Sequence, residues 1–187
     1  MNIRKLFPIG LILLGAVFLG AGVYTVGRGL DAKDQVRAEL LAQNISTPED
    51  ASIPNARVDS VATARSMADI IDHHALSSTD GLTYSEMGRF MAKDGSPAGT
   101  SDEKLAVVNE ATGRPVANPL RDVAFQAASL RTSLYSSVMA FEVSNLVTGL
   151  GLMIVVLGLA VGGLGIALAG LAIPSLSRKL HVEPIAA

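Results

Sequence analysis

Two long runs of uncharged, mostly apolar residues, one near each end, constrain this chain more than any other feature of its sequence. The first covers residues 6–27, about 22 residues, and the second covers residues 146–173, about 28 residues. About 20 apolar residues in an α-helix are enough to cross the ~30 Å hydrocarbon core of a bilayer. The pair therefore predicts an integral membrane protein with two transmembrane helices.

Basic residues flank both runs on the side of the chain ends. Arg4 and Lys5 precede the first run, and Arg178 and Lys179 follow the second. Basic residues next to a transmembrane helix favour the cytoplasmic side, so both chain ends are predicted to be cytoplasmic. The segment between the two runs is then predicted to lie outside the plasma membrane.

A cleaved signal peptide is the alternative interpretation of the first run. Gly20 and Gly22 would then serve as small residues before the cleavage site. The apolar core of a signal peptide is typically about 7–15 residues long, which is shorter than this run. We therefore expect the first run to remain in the protein as a membrane anchor.

The composition excludes several classes of function. The net charge of −2 gives no reason to expect a nucleic-acid partner. The chain has no cysteine, which excludes disulfides, thiolate catalysis and iron–sulfur clusters. Neither apolar run contains an ionisable Asp, Glu, Lys, Arg or His, so proton relay or ion transport by this chain alone is not expected.

Between the runs, apolar residues recur at helical spacing in several places. Residues 31–44 predict a short amphipathic helix, and residues 59–76 predict a second helix. A short helix that begins at Thr83 or Ser85 and reaches Met91 is also predicted. Residues 103–111 are expected to form one or two helical turns.

The last helix has a clear start. Asn118 suits the N-cap position and Pro119 suits the first helical position. No glycine or proline follows until Gly149, so one continuous helix is predicted from about residue 119 through the second apolar run. Strand signals are weak throughout, and the predicted fold class is all-α, with two transmembrane helices and a helical extracytoplasmic insertion. The predicted segments are an N-terminal transmembrane helix (1–28), an extracytoplasmic helical and loop segment (29–118), a long helix that includes the second span (119–174) and a cytoplasmic tail (175–187).

Small residues are frequent in both apolar runs. Gly158 and Gly162 form a GxxxG pair, and Gly15 and Gly22 are separated by one heptad. Helices in lipid associate by close approach of their backbones, so such residues indicate a helix–helix contact. Two alternatives stay open: the two spans pack on each other, or they also dock onto a larger partner. The predicted packing interface consists of Gly15, Gly22, Gly151, Gly158, Gly162 and Gly165.

One cluster of side chains has residue types that suit metal chemistry. Asp69, Asp72 and His73 share a helix face, and His74 follows directly. Carboxylate and imidazole groups bind zinc or non-haem iron. Adjacent residues on a helix point about 100° apart, however, so His73 and His74 are poorly placed to chelate one ion. We expect a structural role for the cluster, with no metal site, no cofactor and no catalytic residue, and hence no enzyme activity.

Three stretches resemble a group of small actinobacterial two-span membrane proteins. They are residues 68–76 (ADIIDHHAL), residues 81–84 (GLTY) and residues 130–141 (LRTSLYSSVMAF) with the glycine-rich run after them. Some members are labelled aromatic ring-opening dioxygenases, which the residues here do not support because they form no convincing iron site. The topology and size are also similar to accessory subunits of the actinobacterial cytochrome bc–cytochrome oxidase supercomplex, including its association factor.

The leading hypothesis is therefore a non-catalytic accessory subunit of a membrane protein complex, most plausibly that respiratory supercomplex. Its partners would be lipid and other integral membrane subunits, such as cytochrome bc and oxidase subunits, which it would stabilise or assemble by helix–helix docking. The alternative is a membrane-anchored extracytoplasmic protein that binds a metal or another ligand through His73, His74 and the nearby carboxylates.

Overall fold

The computed structural model describes the backbone of residues 3–172 and the side chains of residues 6–170. Within that range the chain is helical, with isolated β-bridges but no strand, and the all-α prediction is confirmed. The described residues form the α-helices α1 (Ile3–Ala42), α2 (Val61–Ser78) and α3 (Pro119–Ala172), with one 3₁₀ turn between α2 and α3. The predicted cytoplasmic tail, with Arg178 and Lys179, lies outside the described residues.

Helix α1 is longer than the sequence patterns predict. It continues without a break from the first apolar run to Ala42, so the separate helix predicted for residues 31–44 is the end of α1. No proline occurs between Pro8 and Pro48, and nothing else in this stretch prevents the backbone from continuing as a helix. The chain reverses just beyond its end at Asn44, whose φ of 52° is in the left-handed region.

Helix α2 begins and ends two residues later than predicted. Ser60 is the N-cap, and its hydroxyl accepts a hydrogen bond from the Thr63 N–H. The Thr63 hydroxyl in turn interacts with the Ser60 backbone N–H, which completes a capping box. At the other end, the Thr79 N–H and hydroxyl donate to the carbonyl of Ala75. These reciprocal contacts satisfy backbone groups that a helix end leaves unpaired.

The segment between α2 and α3 is mostly not helical. The predicted helix near Met91 is reduced to one 3₁₀ turn (Tyr84–Glu86), and the predicted turns within residues 103–111 are wrong. Four short stretches instead exchange backbone hydrogen bonds, through bridges such as Ala92 with Ala106 and Val108 with Pro115. Glycines and prolines are spaced along this segment, and they interrupt a helix.

Helix α3 is the continuous helix that the sequence predicts, at least as far as Ala172. Asn118 caps its start, because its side-chain oxygen accepts a hydrogen bond from the Leu120 N–H at 3.1 Å. Pro119 occupies the first helical position, where a missing N–H costs nothing.

The chain forms two compact units. Of the described residues, the helical-pair unit contains 3–33 and 143–172, and the central unit contains 34–142. In the central unit, α2 packs against the end of α1 and the start of α3. The core of this unit contains Leu40, Val58, Ala64, Ala68, Leu134, Val138 and Phe141.

Two helices are long and apolar enough to cross a membrane. They cover Leu6–Ala42 in α1 and Pro119–Gly170 in α3. In their most apolar windows only 17% and 11% of the residues are buried within the chain, whereas a core helix of a soluble protein is mostly buried. Most of the residues in these windows are therefore not covered by other parts of this chain.

Candidate functional site

Glycines at seven-residue intervals line the contact between α1 and α3 in the helical-pair unit. This contact, which we call the glycine seam, contains three buried glycines from each helix. A seven-residue repeat keeps one face of each helix turned toward the other along a left-handed crossing. The glycines of the seam are Gly15, Gly22 and Gly29 in α1 and Gly151, Gly158 and Gly165 in α3.

The backbones of the two helices touch along the seam. A Cβ atom added to Gly15 would lie 2.6 Å from the Cα of Gly162, and one added to Gly158 would lie 2.8 Å from the Leu19 nitrogen. A Cβ at Gly22 would lie 2.7 Å from the Val155 nitrogen. Carbon atoms do not approach that closely, so any larger residue would push the helices apart.

The structure places all six glycines of the predicted packing interface at this contact, but five of them are packed more tightly than the sixth. Gly15, Gly22, Gly151, Gly158 and Gly165 leave no space for a side chain. Gly162 does, because an added Cβ would meet the Gly15 Cα at an ordinary 3.7 Å. The structure thus shows the two helices packed on each other, and the seam glycines are covered by that contact.

Gly29 belongs to the seam but is absent from the predicted interface. A Cβ there would lie 2.8 Å from the Thr148 nitrogen and 3.0 Å from the Ser144 carbonyl oxygen. The seven-residue spacing from Gly15 and Gly22 is the signal that could have found it. It was missed because the first transmembrane helix was predicted to end at residue 28.

The faces away from the seam present large apolar side chains. On α1, Val17 and Tyr24 are 65% and 70% exposed, and on α3, Met153 and Ile166 are each 64% exposed. Several other glycines have open space around them, so the helix pair does not bury every small residue. They are Gly10, Gly20, Gly27, Gly149, Gly163 and Gly170.

The carboxylates of the Asp69–His74 cluster, for which a structural role is expected, bind side chains of α3. The Tyr135 hydroxyl donates to Asp69 Oδ1 at 3.0 Å, and Arg131 Nη1 donates to Asp72 Oδ1 at 2.7 Å. A third contact on the same side joins Arg65 and Glu142 at 3.3 Å. These three contacts, which we call the polar ladder, connect α2 to α3.

The histidines of the cluster point elsewhere. His74 Nε2 lies 2.6 Å from Asp50 Oδ2, which connects α2 to the loop before it. The hydrogen bond from His74 is the main cause that holds the pKa of the Asp50 carboxyl below its ordinary value. The His73 ring centroid is 6.1 Å from that of His74. Asp69, Asp72, His73 and His74 are thus adjacent in sequence but are not brought together as ligands.

No group of three or more His, Cys, Asp or Glu side chains among residues 6–170 is placed to hold a metal ion. The arrangement around α2 is one of pairwise contacts, each joining α2 to one neighbour. Such contacts position helices and loops.

A further polar contact lies at the start of α3 and has no signal in the sequence. The Arg121 guanidinium lies 4.1 Å from the centre of the Tyr84 ring, and its Nε donates to the Met87 carbonyl at 3.1 Å. Tyr84 also packs near Phe125, with ring centroids 5.4 Å apart. These residues come from two different segments, so only the tertiary structure reveals that they meet.

Comparison with protein-family profiles, with curated proteins and with solved structures finds no match to this chain. The resemblance to actinobacterial two-span proteins therefore remains an expectation from the sequence. The function has to be argued from the helix pair and the contacts of the central unit.

Proposed function

We propose that this chain is an integral membrane protein that acts as a non-catalytic accessory subunit of a larger membrane protein complex. One observation carries the proposal: α1 and α3 pair tightly through the glycine seam and leave large apolar side chains on their outer faces. Each helix of the pair buries one face against the other helix, and its opposite face carries apolar side chains that this chain does not cover. Lipid and the helices of other subunits are the surroundings that suit such faces.

The physical chemistry of lipid supports this division of surfaces. Lipid chains are as apolar as leucine, so helices in a membrane associate by packing and not by escape from water. The seam glycines are already covered by the opposite helix, and they cannot also provide the contact with a partner. In this proposal the partner docks on the outer faces, where Val17 and Met153 lie.

The central unit supports a structural role. Ionisable side chains on α2 contact α3 and the preceding loop, as Asp72 does with Arg131 and His74 with Asp50. A unit of this kind presents a stable helical surface. In the proposed topology this unit lies outside the membrane, where it would contact extracytoplasmic parts of the complex.

The complex proposed is the actinobacterial cytochrome bc–cytochrome oxidase supercomplex. The support for this choice is the resemblance in size and topology to its accessory subunits. The alternative, a metal- or ligand-binding protein, is less well supported, because Asp69 and Asp72 bind α3 side chains and leave His73 and His74 without carboxylates from their own helix.

Purification in a mild detergent tests the proposal. We expect the tagged chain to elute with haem-bearing subunits at a constant ratio, measured by the absorbance of the haem against the amount of the tagged protein. Elution of the chain alone, without haem, would contradict the proposal. One bound equivalent of zinc or iron on such a lone protein would favour the alternative.

Two substitutions locate the docking face. Val17→Trp and Met153→Trp each add bulk to an outer face that is open in the isolated chain, so insertion and pairing should be preserved. We expect at least one of them to lower the haem recovered with the protein. Retention of full haem in both variants would exclude docking through these positions.

A further inference from the structure

One arginine and two aromatic side chains meet at the surface of the central unit. This arginine–aromatic cluster consists of Tyr84, Arg121 and Phe125. Arg121 and Phe125 are four residues apart on α3 and therefore share a face. Tyr84 and Phe125 are 36% and 53% exposed, although aromatic residues make up only 4% of the chain. Aromatic residues and arginine are the types enriched at the energetic centres of protein interfaces.

The guanidinium of Arg121 is held in one orientation by two contacts. Its plane lies against the Tyr84 ring, with the Cζ atom 4.1 Å from the ring centre, and its Nε donates to the Met87 carbonyl. The Met87 residue is buried, so its carbonyl is a fixed anchor. A side chain that is already ordered loses less conformational entropy when a partner binds it. Arg121 is thus prepared for binding before any partner arrives.

The outer end of the same guanidinium is unpaired. No Asp or Glu among residues 6–170 forms an ion pair with Arg121, and its Nε alone takes part in a hydrogen bond. Of the described residues, only Arg131 has a buried side-chain nitrogen without a hydrogen bond, so the Nη atoms of Arg121 contact solvent. These Nη atoms carry N–H donors that an acceptor from outside the chain can reach.

The position of Arg121 on α3 favours an anion as that acceptor. Arg121 lies in the first turn of the helix, where the helix dipole disfavours a cation and attracts a negative charge. An anion bound by the Nη atoms is therefore attracted both by the guanidinium and by the helix end. A carboxylate fits best, because its two oxygens match the paired N–H groups of a guanidinium.

A lipid phosphate is a less suitable anion than a carboxylate of a protein. Arg121 precedes Leu146, the first residue of the second apolar run, by about 37 Å along α3 at about 1.5 Å per residue. The headgroup layer on each side of a bilayer is only about 5–8 Å thick. Phe125, next to Arg121, also requires an apolar neighbour, which a polypeptide supplies beside its acidic residue.

We infer that the arginine–aromatic cluster is the docking point of the central unit for an extracytoplasmic segment of a neighbouring subunit. The segment carries an Asp or Glu side chain beside an apolar one. Its carboxylate accepts hydrogen bonds from the Arg121 Nη atoms, and its apolar side chain packs on Phe125 and Tyr84. The inference rests on the proposed function as an accessory subunit, and it states where on the central unit the partner binds.

Site-specific cross-linking in the intact complex tests the inference. The photoreactive amino acid p-benzoylphenylalanine replaces Phe125 in one variant and Val123 in the control, and each complex is purified in mild detergent and illuminated. Val123 is 40% exposed but points about 200° away around α3. We expect a several-fold higher yield of cross-links to another subunit from position 125. The cross-linked peptide, identified by mass spectrometry, should contain an Asp or Glu.

Charge reversal then tests the ion pair. Arg121→Glu should lower the yield from position 125 several-fold, because two carboxylates repel each other. Each acidic residue of the cross-linked peptide is changed to Arg in turn, and one of these changes should restore the yield in the Arg121→Glu background. Such rescue is not expected if Arg121 only holds the Met87 carbonyl in place. Failure of every reversed acid to restore the yield would overturn the inference.

A second variant covers the case in which Arg121→Glu loses its helical circular dichroism. Arg121→Gln removes the charge but keeps an N–H group that can donate to the Met87 carbonyl. It should also lower the yield from position 125 several-fold. An unchanged yield in Arg121→Gln would overturn the inference.

The outcomes separate this inference from the proposed function. Elution of the chain without haem-bearing subunits would overturn the proposed function, and the docking point with it. Elution with haem but equal yields from positions 123 and 125 would overturn the docking point alone. A cross-link from position 125 to phospholipid instead of a polypeptide would likewise overturn it.

Discussion

Gly20 and Gly22 lie two residues apart in α1, yet a side chain has opposite consequences at the two positions. At Gly22 an added Cβ would lie 2.7 Å from the Val155 nitrogen, and at Gly20 it would meet nothing within 4 Å. The difference arises because Gly22 faces α3 and Gly20 does not. Residue type alone therefore does not say which glycines hold the helix pair together.

Gly22→Ala and Gly20→Ala form a matched pair of variants. We expect Gly22→Ala to destabilise the protein by about 1–3 kcal/mol, because the methyl group forces the helix backbones apart. Gly20→Ala should be neutral or stabilising by up to about 1 kcal/mol, because alanine favours the helix over glycine. The free energies of unfolding are measured by titration with SDS in mixed micelles, followed by circular dichroism. Shifts of the same sign would show that Gly22 does not lie at a tight contact.

Also at the residue scale, Glu86 makes a pH-dependent contribution to the stability of the fold. Its Oε2 accepts hydrogen bonds from the Thr83 hydroxyl at 2.6 Å and from the Thr83 N–H at 2.7 Å. The hydroxyl contact is the larger cause that lowers the pKa of the Glu86 carboxyl, followed by the backbone contact. A lowered pKa in the folded state means that the ionised carboxylate stabilises the fold. That contribution is present above the pKa of the unfolded chain and is lost as the pH falls through the folded value.

The expected outcome is a loss of stability on acidification that depends in part on Glu86. Unfolding midpoints are measured at neutral pH and at about pH 3, which is below the ordinary range of carboxyl groups. Glu86→Gln should be less stable than the unmodified protein at neutral pH and should lose less stability between the two pH values. The same acid loss in both proteins would contradict the assigned role of Glu86.

At the scale of elements, α2 and α3 are joined by two kinds of contact. Ala64 and Ala68 of α2 are fully buried in the core of the central unit. Beside them runs the polar ladder, in which positions 65, 69 and 72 of α2 meet positions 142, 135 and 131 of α3. The order of the partners is reversed, so the ladder joins two antiparallel helices. The small alanines allow close approach, and the ladder favours one register.

A double-mutant cycle measures the ladder. Asp72→Ala and Arg131→Ala, alone and together, should give a coupling energy of about 0.5–1 kcal/mol, since both side chains are partly exposed to water. The control cycle combines Asp72→Ala with Glu142→Ala. Residues 131 and 142 are separated by about 16 Å along α3, at about 1.5 Å per residue, so the control coupling should be near zero. Equal coupling in both cycles would show that the Asp72–Arg131 pair is not specific.

At the scale of the whole molecule, the proposed topology follows from two apolar helices and from the basic residues that flank them. The helices are long and apolar enough to cross a membrane. Arg4 and Lys5 lie before the first, and Arg178 and Lys179 lie after the second. The topology proposed from the positive-inside rule has both chain ends in the cytoplasm and the central unit outside.

Reporter fusions test this topology. A reporter enzyme that is active only outside the cytoplasm should be active when fused after Ala111 and inactive when fused after Ala187. A reporter active only in the cytoplasm should give the reverse pattern at the same two positions. Activity of the first reporter at Ala187 would exclude the arrangement with two spans and both ends inside.

Much of the fold was predictable because its signals are local. The start of α3 is encoded by Asn118 and Pro119, and its continuity follows from a stretch without helix breakers. The capping residues of α2 were harder to locate, since Ser60 and Asp59 are both plausible caps and only hydrogen-bond geometry separates them. The short bridges in the segment between α2 and α3 were missed because strand signals there are weak, even where the paired residues are as close as Val108 and Pro115.

For the candidate site, the sequence by itself determined the composition of the surfaces. It placed glycines at heptad spacing in both apolar runs, and it placed carboxylates and histidines on α2. These patterns are properties of one helix at a time. They predict that a helix has a contact face, and they leave the partner of that face open.

Only the tertiary structure decided which partner each face takes. It assigned the glycine seam to the contact between α1 and α3, and it assigned Asp69 and Asp72 to side chains of α3. The physical reason is that these contacts depend on the register between helices, which is set by packing over their whole length. A local pattern contains no information about that register, because the partners are more than fifty residues away along the chain.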